Sequence, residues 1–130
     1  MDRRLLLLAL LGMAAACGDD PAAEYRFAGA ATACETATWA EERQRLLAEG
    51  DTVEAGRFAS PRCFRVEPRR RVRIVDREGG APWSSGRWVE VETVDAAPLE
   101  HLASAELRRA TGLPVRTRGW VARASVEEIQ

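Results

Sequence analysis

The chain opens with two arginines, Arg3 and Arg4, and then runs from Leu5 to Ala16 through twelve residues with no charge and no hydrogen-bonding side chain. The run ends abruptly at Cys17-Gly18-Asp19-Asp20. A helix that crosses a bilayer needs about 20 apolar residues, so this run is short for a span. A buried N-terminal helix would carry a polar face, and this segment has none. A basic start, a brief apolar core and a small-residue exit describe a secretory signal peptide over residues 1–16. What folds is then the remainder, in a compartment where disulfides persist. Cleavage before Cys17 removes Asp2, Arg3 and Arg4 and leaves 114 of the 130 residues, enough for one domain and hardly for two.

Small residues at Ala14 and Ala16 satisfy an ordinary signal peptidase. The same letters, Ala14-Ala15-Ala16-Cys17, resemble the lipobox of bacterial lipoproteins, with alanine where the strongest form of that pattern carries leucine. The resemblance implies that Cys17 is diacylated on sulfur and acylated on its freed amine. It also implies a mature protein anchored to a membrane of the bacterial cell envelope, facing the periplasm or the cell exterior. Two acyl chains suffice for stable anchoring, at about 0.8 kcal/mol per buried methylene. Cysteine arithmetic points the same way. There are three cysteines, Cys17, Cys34 and Cys63, and an exported protein with an odd number must account for one of them. With Cys17 acylated, Cys34 and Cys63 remain as a disulfide pair. With Cys17 unmodified, an exposed thiol would stand at the new N-terminus.

Residues 18–33 are rich in Ala, Gly and Asp, with Tyr25 and Phe27 the only large apolar groups. They read as a flexible tether, about 20–24 Å from end to end as a coil. A single domain over 34–130 follows. The mature chain has 17 arginines, no lysine and 19 acidic side chains. Its net charge of −2 gives no overall attraction to nucleic acid or to an anionic membrane.

Within the domain, Thr38-Trp39-Ala40-Glu41 matches a capping box, with a threonine oxygen for orphan amides and a glutamate to reach back. Trp39, Arg43, Leu46 and Leu47 then share a face and Gly50 supplies a stop, which predicts an amphipathic helix over 39–49. Asp51 or Thr52 would cap a second short helical turn carrying Val53 and Phe58. From Cys63 onward the texture changes. Val72-Arg73-Ile74 and Val89-Glu90-Val91-Glu92 alternate as half-buried strands do, with Gly79-Gly80-Ala81-Pro82 and Ser84-Ser85-Gly86 as turn residues between them.

This C-terminal half resembles a bacterial SH3-like domain (SH3b). The resemblance is carried by Val72 and Ile74, then Trp88 and Val91, then Gly119, Trp120 and Val121, with Val126 in the closing turn. It covers roughly residues 60–128 and implies a mainly β fold with α additions. The expected architecture is a small SH3-like β-barrel, preceded by an amphipathic helix and carrying an inserted helix. The opening strand usual in the family is not visible, and the helical piece and the segment around Cys63 stand in its place. The link from Asp95 to Arg118 is far longer than the family's. Pro98 as first residue, Leu99, Leu102, Leu107 and Ala110 on one side, and Gly112 as stop predict a helix over 98–111 within it. Its apolar side is expected to cover the domain; the alternative is a partner surface.

Chemistry is sparse. The single histidine, His101, could form a nucleophilic pair only with a free Cys34 thiolate, and Cys34 is better used in a disulfide, so His101 reads as a surface residue. No HxxxH, HExxH or CxxC motif suggests a metal, and no phosphate-binding glycine loop occurs. The expectation is a protein without catalytic residues, cofactor or metal. Two features suit ligand contact instead: the basic run Arg69-Arg70-Arg71, able to dock carboxylates or phosphates of the envelope, and Trp83 in a Gly/Pro/Ser turn. Two functions follow from these residues and the resemblance. One is an envelope lipoprotein that binds peptidoglycan or an envelope protein. The other is an assembly or inhibitor lipoprotein docking on a partner enzyme through its inserted helix.

Overall fold

Alternation with period two decides where most large side chains go. The structure, a computed structural model, describes residues 23–77 and 87–130; Cys17, the signal segment, Trp83 and the turn expected at 79–86 lie outside the described residues. Among the described residues are seven strands: β1 (Tyr25–Phe27), β2 (Thr32–Cys34), β3 (Cys63–Arg65), β4 (Arg71–Arg77), β5 (Trp88–Thr93), β6 (Arg118–Ala122) and β7 (Val126–Glu128). They form one antiparallel sheet in the order β3-β2-β6-β5-β4-β1-β7. Three α-helices among the described residues accompany it: α1 (Ala37–Ala48), α2 (Thr52–Arg62) and α3 (Leu102–Ala110). The fold is therefore mainly antiparallel β with α additions.

The sheet is curled, and its connectivity requires it. Only the 3-10 turn Arg123–Ser125 separates β6 from β7, although four strand spacings lie between them in the order. Ala122 and Val126 are four peptide steps apart, which reach at most about 15 Å. A flat sheet would hold β6 and β7 about 19 Å apart.

Curling gives the sheet two unlike faces. On one, Val72, Val89, Val91 and Val121 pack with Tyr25, Phe27, Phe64, Leu99 and Val126 in the main core. On the other, Cys34, Cys63 and Trp88 are covered by Ala40 of α1, with Trp39 and Trp120 packed alongside. Neighbours in sequence are thus split between faces: Ala33 and Cys34, Cys63 and Phe64, Trp88 and Val89. Gly119 is the tightest crossing. A Cβ there would lie 2.9 Å from the Ala33 Cβ and 3.0 Å from the Phe64 ring, so only glycine lets β6 pass.

Cys34 and Cys63 are register partners across β2 and β3 and form a disulfide. It closes the segment holding α1 and α2. Thr36, not Thr38, caps α1: Thr36 is extended, and its side-chain oxygen accepts the Trp39 N–H at 3.1 Å. At the other end Gly50 adopts φ +80°, the Gly50 N–H donates to the Leu47 carbonyl and the Asp51 N–H to the Leu46 carbonyl. This αL closure is the stop that Gly50 promised. Asp51 then caps α2 through the Glu54 N–H, and α2 runs to Arg62, well beyond a short turn.

Two further sequence expectations are corrected. The tether does not extend to residue 33, because β1 and β2 lie within it and both join the sheet. Tyr25 and Phe27 flank exposed Arg26 and are almost wholly buried, so two anchors suffice for a strand in Ala/Gly-rich surroundings. The domain accordingly begins before residue 34, with β1 as its first described strand. The helix expected over 98–111 starts only at Leu102, with His101 as its cap. Tertiary backbone bonds claim the residues before it: the Leu99 N–H donates to Arg116 O, the Glu67 N–H to Leu99 O and the His101 N–H to Arg65 O. Leu99 and Ala105 are fully buried, whereas Leu102 is 48% and Leu107 66% exposed, so the leucine side does not cover the core.

Candidate functional site

Where the 3-10 turn leaves β6, α1 lies opposite it and a groove opens between them. Two adjoining cavities of about 520 and 180 Å³ share Gln44, Trp88 and Ala122. Arg43 enters from α1, Arg87 from the start of β5 and Arg123 from the turn. No carboxylate lines either cavity among the described residues. Trp88, 7% exposed, sits between the cavities with the Arg87 guanidinium 5.8 Å from its ring centre.

The three arginines differ in how they are held. Arg123 is fixed: it donates to the Val126 carbonyl at 3.0 Å and lies over the Tyr25 ring at 5.1 Å. Arg43 is half-buried, and burial alone pushes its pKa below the usual arginine value. Among the described residues no carboxylate is paired with it. A guanidinium stays protonated regardless and offers up to five donors, so Arg43 sits in the groove as a partly desolvated cation. A carboxylate or phosphate is the group that such an arrangement can receive.

Sequence reading did not find this groove. By periodicity Arg43 falls on the helical face with Leu46 and Leu47, and Trp88 reads as a core residue in a strand. Only the pairing of β5 with β6 and the packing of α1 over β2 bring Arg43, Arg87 and Arg123 together.

The basic run forms a different place. Arg69, Arg70 and Arg71 line a cleft of about 320 Å³ together with Glu24, Val94 and Asp95. Arg70 donates through Nε to the Pro98 carbonyl at 2.8 Å, which braces the β5–α3 link, whereas Arg69 and Arg71 are exposed. Trp83 lies outside the described residues.

A third charged cluster is a brace. The Glu100 carboxylate is 1% exposed and accepts the Arg116 N–H at 2.9 Å, with the Arg108 Nε at 3.3 Å. Arg116 stacks 4.8 Å from the Phe64 ring centre and pairs with Glu35 at 3.2 Å. Burial first, and then the nearby Arg108 charge, lower its pKa. These contacts fasten the β5–α3 and α3–β6 links to the sheet. Cys34 is in the disulfide, so no thiolate is available to His101, whose Nδ1 instead accepts the Ala103 N–H at 3.3 Å. Among the described residues no group of three or more His, Cys, Asp or Glu is placed to hold a metal.

The fold and the groove define a small disulfide-closed, mainly β domain with an arginine-lined cleft. No family model, no curated protein and no solved structure matches the chain.

Proposed function

We propose that this chain is a non-catalytic lipoprotein of the bacterial cell envelope, held by acylated Cys17, whose SH3-like module binds an acidic group of peptidoglycan or of an envelope protein. The observation that carries the reading is the groove between α1 and the β6–β7 turn, with Arg43, Arg87 and Arg123 around Trp88 and no carboxylate among its described lining residues. Tryptophan and arginine are the residue types that concentrate binding energy at interfaces. The segments resembling an SH3b domain lie side by side as β4, β5 and β6, and a 3-10 turn leads on into β7, which supports the small-barrel reading. The Cys34–Cys63 disulfide supports export to an oxidising compartment. No cofactor and no nucleic acid enter this reading.

The test is sedimentation with purified sacculi, comparing wild type with Arg43→Glu. Arg43 faces no carboxylate in the described structure, so its reversal should leave the unfolding curve nearly unchanged. Retention on sacculi should fall by tenfold or more, on the order of the 1.5–3 kcal/mol of a charge-assisted hydrogen bond. Equal retention of both proteins would refute the groove as the binding site.

The exposed Leu102 and Leu107 favour a second reading, an assembly or inhibitor lipoprotein that docks on a partner enzyme through α3. A stoichiometric partner lost on Leu107→Glu, with Arg43→Glu silent, would decide for it.

A further inference from the structure

The two cavities of the groove are unlike. The smaller, about 180 Å³, reaches down to Cys34, Ala40 and Trp88, all almost wholly buried. Thr32 lines it from β2, and Arg43 and Gln44 line it from α1. The side chains of these three make no hydrogen bond or ion pair among the described residues, so their donors are not taken by the protein. Whole small ligands occupy sites of about 300–1,000 Å³, so this cavity has room only for the end of one. Ala31, Ala40 and Ala122 supply its apolar wall, which admits a methyl group and not a long side chain.

Charge narrows the choice further. Arg43 is the one charged group among the described residues lining the small cavity. A single negative charge balances it, whereas a phosphate monoester brings about −1.5 to −2 at neutral pH. The carboxylates on the surrounding elements are held elsewhere: Glu42 by Arg45, Glu35 by Arg116, Glu90 by Arg118 and Glu127 by Arg26. Glu41 and Glu128 are exposed and line neither cavity.

We propose that the small cavity takes the free α-carboxylate of a C-terminal alanine, and that the ligand is a peptidoglycan stem peptide lying along the groove. The inference rests on the groove being the binding site. Arg43 receives the carboxylate through its guanidinium fork, Thr32 and Gln44 add donors, and the terminal methyl lies against the alanines. The rest of the peptide crosses Trp88 into the cavity of about 520 Å³, which Arg87 and Arg123 line. A ligand that fills both spaces meets arginine at more than one point and carries more than one acidic group along a short chain. A stem peptide does so: its γ-linked glutamate keeps a free α-carboxylate, and the chain ends in D-alanine. An ordinary protein C-terminus brings one carboxylate for certain and no other.

The experiment titrates the full mature protein calorimetrically with the stem tetrapeptide L-alanyl-γ-D-glutamyl-diaminopimelyl-D-alanine, as free acid and as C-terminal amide. The free acid should bind about tenfold more tightly or better, the scale of one charge-assisted pair, and Arg43→Gln should erase the difference. The same peptide ending in D-leucine should bind more weakly than the alanine form. Acid and amide binding equally, or neither binding at millimolar concentration, would overturn the proposal; Arg43-dependent retention on sacculi would then leave the groove reading standing. Tighter binding of a linear L-peptide ending in alanine would assign the cavity to a protein C-terminus and overturn the stem-peptide assignment. Inorganic phosphate competing better than acetate would overturn the carboxylate. Retention on sacculi that does not depend on Arg43 would overturn both readings.

Discussion

Leu99 and Leu107 stand eight residues apart on one expected apolar stripe, and the structure assigns them opposite fates. Leu99 is 0% exposed in the main core, packed with Phe64, Val66 and Val91, and its backbone is bonded on both sides. Leu107 is 66% exposed on α3. Truncating a fully buried leucine to alanine removes its transfer free energy and leaves a cavity, about 2–5 kcal/mol in all. Truncating Leu107 forfeits only the third of its surface that is covered, below about 1 kcal/mol of the 1.5–3 kcal/mol for full burial. Alanine's higher helix propensity offsets part of that loss. In a domain of this size 1 kcal/mol moves Tm by about 4–8 °C, so Leu99→Ala should lower Tm by about 10 °C or more and Leu107→Ala by less than about 5 °C. The assay is thermal and urea unfolding of the two variants side by side, with the urea slope m checked for constancy. Comparable losses would refute the reasoning, because α3 would then be docked by its leucine side as the periodicity alone suggests.

Three further outcomes follow from other contacts. Removing the Cys34–Cys63 disulfide as Cys34→Ala/Cys63→Ala frees a loop of about 30 residues and should cost about 3.6 kcal/mol by chain entropy, measured by denaturant unfolding. Gly119→Ala sets a methyl group 2.9 Å from the Ala33 Cβ and should destabilise by about 1–3 kcal/mol, whereas Gly29→Ala, with open space around it, should be nearly silent. Arg45 holds Glu42 and Glu49 on the surface of α1, and its hydrogen bond to Glu42 lowers that carboxyl's pKa below the usual range. A lowered pKa stabilises the fold above the unfolded carboxylate's pKa, about 4.3, and the contribution fades as pH falls through the folded value. Both groups are exposed, so the effect should be small; an acid limb unchanged in Arg45→Ala would show that the pair contributes nothing.

The sequence by itself determined the local matters, those that depend on a few neighbours. Gly50 and Gly112 end their helices at φ +80° and +74°, because only glycine enters the left-handed region freely. The alternation in Val72–Ile74 and Trp88–Thr93 yields strands β4 and β5, since period two leaves one face to bury. Cysteine parity selected Cys34 and Cys63 as a pair, and the structure joins them. Tertiary structure decided whatever required distant partners. Tyr25-Arg26-Phe27 is too short to announce a strand, and it becomes one because Val72 and Val126 offer edges on both sides. Pro98-Leu99-Glu100 reads as the first turn of a helix. It stays outside the helix because the Arg116 and Arg65 carbonyls accept the amides of Leu99 and His101. The arginine groove has no local signature at all. Arg43, Arg87 and Arg123 are spread over 80 residues, and no short-range pattern records that a curled sheet under α1 will gather their charges around one indole.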